Sequence, residues 1–284
     1  MTKARTNASA SPAVGRNMVI NGAMNVSQRS TSVADLGGST GYFTLDRYRW
    51  IAGSLAGRFT MSQTADGPNG ISANCLKVDC TTADTSIAAG ERLVLQHKIE
   101  SQNCQRIGKG VAGAKQVTVS FYVKASAAFT FGLEIFQSAH SRQCTKLFDT
   151  TTDWVRHEIV FPADVDDGSS PIADDTTEGI VLQFWLHAGA TYTGGTLNTA
   201  AFANSTNANR AVGIDSIFSS TDNNFFLTGL QCEVGPVATE FEQEDITTTL
   251  GRCMRYYEKQ IADNGTFIAV GYNESTSNGR GLVP

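Results

Sequence analysis

Apolar and polar residues alternate with a period of two over much of this chain. The clearest runs are Gln116-Val-Thr-Val-Ser-Phe-Tyr-Val123 and Phe129-Thr-Phe-Gly-Leu-Glu-Ile-Phe136. In the second, Phe129, Phe131, Leu133 and Ile135 share one face. Such alternation predicts half-buried strands, because successive side chains point to opposite faces of a sheet. Similar stretches occupy residues 47–51, 57–61, 75–80, 91–100 and 154–161. Residues 179–187 are almost continuously apolar, which predicts a strand buried on both faces. A long final strand is expected over 223–234. Strict alternation there sets Phe225, Leu227, Gly229, Gln231 and Glu233 against Phe226, Thr228, Leu230, Cys232 and Val234.

Turn signals separate these runs. Asn21-Gly22 lies between two short apolar segments, and Gly-Pro-Asn-Gly stands at 67–70. Both residue types tolerate positive φ. Residues 30–46 read as loop and 164–171 as an acidic loop. Residues 189–222 read as an ordered excursion over the sheets, with a short strand near 211–214. The helical period appears once, over 246–258. Asp245 is its expected N-cap, and Ile246, Leu250, Cys253, Met254 and Tyr257 fall on one face. One more strand is expected over 266–271. The pattern predicts an all-β, jelly-roll-type β-sandwich with a flexible N-terminal arm (1–16). The sandwich would span 17–242. A C-terminal unit (243–284) would hold the helix and a short strand.

Composition narrows the functional classes. The chain has 284 residues, a net charge of −5, and only 17% charged residues. It carries no block of Lys and Arg, so a nucleic-acid partner is not expected. No apolar stretch approaches the ~18 residues needed to cross a bilayer as a helix. The first sixteen residues lack an apolar core, so synthesis in a cytoplasm without secretion is expected. The six cysteines, Cys75, Cys80, Cys104, Cys144, Cys232 and Cys253, form no Cys-x-x-Cys. Buried free thiols are the ordinary reading, with disulfides or zinc as alternatives.

Catalytic motifs are absent from the sequence. His97, His140, His157 and His187 fall in no metal-ligand spacing, and neither a Gly-x-Ser-x-Gly elbow nor a phosphate loop occurs. Asp166, Asp167, Asp174 and Asp175 could in principle pair for glycoside hydrolysis, but a solvated acidic loop is the simpler account. No catalytic residue, cofactor or metal is assigned. Trp154, Trp185 and Tyr192 are the candidates for stacking on a sugar ring, while Trp50 is expected in the core. Asp46 and Arg47 are expected to pair with each other.

Several segments together resemble a recurrent family of tailed-phage virion proteins, often described as tail-fibre or virion structural proteins. They are Asn17-Met-Val-Ile-Asn-Gly-Ala-Met-Asn-Val-Ser-Gln-Arg29, Phe43-Thr-Leu-Asp-Arg-Tyr-Arg-Trp50, Leu95-Gln-His-Lys-Ile-Glu100, the run 227–242 and Cys253-Met-Arg-Tyr-Tyr257. Their order and spacing across 17–260 carry the resemblance. It implies a fold like that of carbohydrate-binding modules and no catalysis. The implied role is a tail- or head-fibre subunit contacting host surface polysaccharide. Alternatives are a capsid decoration protein and, further off, a glycan depolymerase. It also implies residence in the virion and attachment to other virion proteins through residues 1–16. The apolar face of the helix must pack either on its own sandwich or at a subunit contact; in the second case self-association as a homotrimer would use Leu250, Cys253, Met254, Tyr256 and Tyr257. Many such modules hold calcium through an acidic residue just after Asn-Gly-x-φ. Here that position is Asn25.

Overall fold

A computed structural model describes residues 15–259 together with strands Val270–Ser275 and Asn278–Leu282. The fold is a jelly-roll-type sandwich of two six-stranded antiparallel sheets. The strands in chain order are β1 (Ser32–Leu36), β2 (Tyr48–Gly53), β3 (Arg58–Thr64), β4 (Cys75–Thr82), β5 (Arg92–Glu100), β6 (Val117–Ala125), β7 (Thr130–Gln137), β8 (Arg142–Asp149), β9 (Val155–Phe161), β10 (Glu178–Ala188), β11 (Ala203–Asn204) and β12 (Asn224–Val234). One sheet runs β1-β3-β4-β12-β6-β9, and the other runs β11-β8-β7-β10-β5-β2. β13 (Val270–Ser275) and β14 (Asn278–Leu282) form an antiparallel pair. Most of the strand expected over 266–271 and nearly all of the arm expected over 1–16 lie outside the described residues.

The core fills the space between the two sheets. Phe59, Met61, Leu76, Val78, Val119, Phe121, Val123, Phe225 and Leu227 meet Trp50, Leu93, Leu95, Phe131, Leu133, Ile135, Leu182 and Phe184. Each of these strands contributes alternate residues, as the pattern predicts. Phe121 stands edge-on to both Phe148 and Phe184, with ring centroids 5.1 Å apart in each case. β10 is buried along nearly its whole length, as its apolar run requires. All six cysteines are buried and unpaired. Burial pushes the thiols of Cys104 and Cys253 up to about 12 and that of Cys144 up to about 11, which makes them inert nucleophiles.

The structure corrects five local expectations. β1 occupies part of the stretch read as loop, pairing with β3, and β8 has no counterpart in the pattern. Residues 211–214 form a turn, and the strand of the excursion is β11. Asp46 and Arg47 do not pair with each other. Asp46 meets Arg29 at 3.3 Å, while the Arg47 guanidinium donates to the Lys98 carbonyl. Strict alternation also fails in β12. Gly229 adopts φ +59°, and the register with β6 slips between Thr228 and Gln231. This bulge puts Leu230 and Cys232 into the same core as Phe225 and Leu227.

Candidate functional site

The motif segments converge on a structural clasp. The Asn17 side chain accepts from the backbone N–H groups of Val19 and Cys232 and donates to the Leu230 carbonyl. Asn21 takes φ +62° and donates to the carbonyls of Val26 and Asp46. Glu242 accepts from the backbone N–H groups of Gly15 and Asn17, and the Arg106 guanidinium donates to the carbonyls of Gly15 and Arg16. Residues 15 and 16 are therefore fastened to the sandwich. A hollow of about 270 Å³ lies here between residues 15–23 and 241–252. Its polar groups Asn17, Asn21, Glu242 and the Glu244–Arg252 ion pair are already engaged.

The helix Ile246–Met254 closes the clasp. Asp245 caps it by accepting from the N–H groups of Thr247 and Thr248. Thr249 and Cys253 face the body, and Cys253 packs with Ile20 and Val26. Gln28 donates to the Tyr257 carbonyl and to Asp46. Of the residues expected at a subunit interface, Cys253 is buried within the chain, while Tyr256 and Tyr257 are half-buried. Leu250 (37% exposed) and Met254 (39%) do face outward, joined by Ile246 (51%). Asn25, at the expected calcium position, accepts from the Asn74 amide at 3.0 Å, so a neutral amide pair occupies that place.

The acidic loop is likewise committed. Asp164 accepts from Lys109 and from Arg142, each at 2.6 Å, and Asp166 meets Arg142 at 2.9 Å. Burial alone would raise the Asp164 carboxyl, but hydrogen bonds from Arg142 and Lys109 outweigh it and hold the group below the usual carboxylate range. Asp175 caps the Thr177 backbone.

The outer face of the second sheet holds a different arrangement. Register places Arg49 (β2), Gln96 (β5), Gln183 (β10), Glu134 (β7) and Thr145 (β8) in one row across five strands. Arg49 donates to Gln96 at 3.2 Å, and Gln96 donates to Gln183 at 3.1 Å. On one flank, Ile51, Val94 and Trp185 form an apolar row in register with Gly132. The excursion 189–222 covers that row with Tyr192, Ala211 and Ile214. Its one-turn helix Ala190–Thr193 supplies Tyr192, whose hydroxyl accepts from Arg92 at 2.6 Å.

Arg210 completes the face. It forms a two-pronged pair with the fully buried Glu134, at 2.9 and 2.8 Å, while Trp185 Nε1 donates to the same carboxylate at 2.9 Å. Its guanidinium lies 4.7 Å from the Phe136 ring centroid and 5.0 Å from that of Trp185. Planar donors, an aromatic ring and aliphatic side chains thus surround a hollow of about 130 Å³. It is bordered by Ile51, Arg92, Gln96, Phe136, Gln183 and Arg210. Fixed donors beside an apolar wall suit a hydroxyl-rich, partly apolar ligand such as a sugar.

Of the three aromatic candidates, the structure brings Trp185 and Tyr192 to this face, with ring centroids 5.3 Å apart. Trp154 lies on the other sheet, beside Phe226 and Lys124, with its indole N–H on the Asp66 carbonyl. Trp185 is only 1% exposed, so it holds Glu134 and Arg210 in place and offers no open ring. Gln96, Gln183, Phe136 and Arg210 escaped the sequence reading. The period-two pattern marks the first three as one face of their strands. Nothing local marks Arg210, which arrives from the excursion.

No protein-family model matches the chain, and no curated protein matches it. Among solved structures it is similar to a family 4 carbohydrate-binding module, at 11% identity over 76% of this chain and 99% of the other, TM-score 0.36. A family 11 module from Clostridium thermocellum, solved with a β-1,3-1,4-mixed-linked tetrasaccharide, gives 11% identity over 73% and 98%, TM-score 0.34. The enzymatically active domain of tailspike protein 4 of bacteriophage CBA120 gives 9% identity over 77% of this chain but 21% of that one, TM-score 0.37. At these distances, nothing about ligand or activity passes from those proteins to this chain.

Proposed function

We propose that this chain is a non-enzymatic structural subunit of a tailed-phage particle, of fibre type, that recognises glycan on the outer face of its second sheet. The observation that carries the glycan reading is the row Arg49-Gln96-Gln183 beside Phe136 and Arg210. Its donors are held by one another and by Glu134, so little ordering remains to be done on binding. The virion reading is supported by the ordered motifs of residues 17–260, whose side chains meet in one clasp. Self-association as a trimer uses the outward stripe Ile246, Leu250 and Met254.

The test is retention of the purified full chain on immobilised bacterial surface polysaccharides. The double variant Gln96→Ala/Gln183→Ala removes two side chains that bond each other and, through Gln96, the half-buried Arg49. It is expected to stay folded and to lose about tenfold or more in affinity, the value of one good hydrogen bond to a ligand. Failure of the wild-type chain to bind any polysaccharide, or unchanged binding by the variant, overturns the glycan reading. Absence of the chain from purified particles by mass spectrometry overturns the virion reading.

A further inference from the structure

A second cluster lies at one end of the sandwich, away from the polar row. Asp84 follows β4, Glu91 immediately precedes β5, and His187 is near the end of β10. One donor atom from each lies within 4.8 Å of the others. The three residues are 7%, 3% and 0% exposed. Sequence spacing hides the group, because its members are 7 and 96 positions apart and only the sheet pairing of β5 with β10 unites them.

The hydrogen bonds of these residues stop short of satisfying them. Asp84 Oδ2 and His187 Nε2 are buried and have no hydrogen-bond partner among the described residues. His187 Nε2 stands 3.5 Å from Glu91 Oε2, too far for a good hydrogen bond. Two buried carboxylates facing one another repel, and unpaired buried polar atoms are costly. The other atoms are fastened as a supporting layer would be. Glu91 accepts from the N–H groups of Ala56 and Ala88, and Asp84 Oδ1 accepts from that of Ser86. His187 Nδ1 lies 2.7 Å from Ser216 Oγ, which also accepts from the Phe218 N–H. With Nδ1–H donating to Ser216, the lone pair of Nε2 points at the two carboxylates, the arrangement by which a second ring nitrogen orients a ligating imidazole.

We propose that Asp84, Glu91 and His187 form a binding site for a single divalent cation of the zinc type. One imidazole nitrogen and two carboxylate oxygens suit zinc. Calcium instead takes six to eight oxygens. The two negative charges balance the ion, which removes the carboxylate repulsion and gives both unpartnered atoms a partner. Residues 85–90 are exposed, so the loop between β4 and β5 is the entry path. The same loop is sewn to its neighbours by Asp84 N–H to the Phe218 carbonyl at 2.8 Å, Gly189 N–H to the Glu91 carbonyl at 2.8 Å and Thr191 N–H to the Ala89 carbonyl at 2.9 Å. The cation therefore braces the base of the excursion that carries Tyr192 and Arg210. This role is a structural one and stands whether or not the polar row binds glycan.

The experiment uses the full chain, stripped with chelator and titrated with Co²⁺ as a coloured stand-in for Zn²⁺. One equivalent is expected to bind with visible d–d bands and without the intense near-ultraviolet band of thiolate ligation. Zn²⁺ should displace it and raise the melting temperature. Asp84→Asn and His187→Gln, each confirmed folded by circular dichroism, should abolish the bands. Ser216→Ala, which keeps all three ligands, should weaken affinity by about 10–100-fold. The absence of stoichiometric Co²⁺ binding by the wild-type chain overturns the proposal. So does a thiolate band, or d–d bands that persist in both folded ligand variants.

Discussion

The Arg47 guanidinium lies 3.5 Å from the centroid of the Tyr256 ring. Arg29 stands 3.6 Å from that of Tyr257. These two stacked pairs join the segment before β2 and the segment after Asn21-Gly22 to the end of the C-terminal helix. Arg47 also donates to the Lys98 carbonyl in β5, and Arg29 pairs with Asp46 just before β2, so each cation ties a second segment while stacking on a tyrosine. Partly desolvated cation–π contacts contribute about 1–2 kcal/mol. Tyr256→Ala and Tyr257→Ala should each lower stability by roughly that amount or more, read as a shift in urea midpoint at unchanged m-value. A change below ~0.3 kcal/mol in both would mean that the helix is held by other contacts.

Gly22 and Gly251 should respond oppositely to the same substitution. A Cβ on Gly22 would lie 2.2 Å from the Leu230 carbonyl oxygen, a backbone atom that the Asn17 amide also holds. Gly22→Ala should cost more than ~2 kcal/mol, by overpacking against an immovable group. Gly251, in the exposed middle of the helix, meets nothing within 4 Å. Gly251→Ala should stabilise by about 0.5–1 kcal/mol. Thermal melts of both variants check the pair of signs.

His97 should make stability fall in mild acid. It is fully buried against Tyr48, its Nε2 3.0 Å from the Ile20 carbonyl and its Nδ1 without a partner among the described residues. Burial, followed by the nearby Arg47 charge, pushes the imidazole down to about 3. Unfolded, the ring titrates near ~6.5. Between these values the unfolded chain binds a proton that the folded chain refuses. The contribution is therefore complete above ~6.5 and is lost progressively as pH falls toward 3, with a slope of at most ~1.4 kcal/mol per pH unit. Urea unfolding from pH 7 to 4 should show a steeper loss in the wild type than in His97→Gln. Parallel curves would contradict this.

The Glu134–Arg210 pair separates stability from recognition. Arg210→Met leaves a fully buried carboxylate with only Trp185 as donor. Loss of one partner of a buried pair costs about 3–5 kcal/mol. Glu134→Gln/Arg210→Met should recover much of that stability while still failing to bind polysaccharide. A double variant as unstable as the single one would show that the pair is not the source of the cost.

Outward apolar residues on the helix give the test of self-association. Leu250→Glu leaves the buried Thr249 and Cys253 untouched. It should shift a trimer to monomer in light scattering while the melting temperature of the monomer stays within ~1–2 °C. An unchanged mass would remove this stripe as the contact.

The period-two pattern was enough to identify most strands of the sandwich, the doubly buried β10 and the helix cap at Asp245, because pleat and helix turn impose their periods on any chain that buries one face. The motif residues stand out as a set by resemblance alone, and periodicity says nothing of what they do. Tertiary structure alone decided the rest. β12 carries a bulge at Gly229, so its last residues face opposite to simple alternation. β1 and β8 were illegible because neighbours recruited short, polar or charged stretches into the sheets. Asp46 and Arg47, adjacent in sequence, were drawn to separate partners. The polar row unites residues of separate strands, and the pairing of β5 with β10 brings His187 to the loop that holds Asp84 and Glu91. Register is set by long-range packing between the sheets, and no local window of sequence contains it.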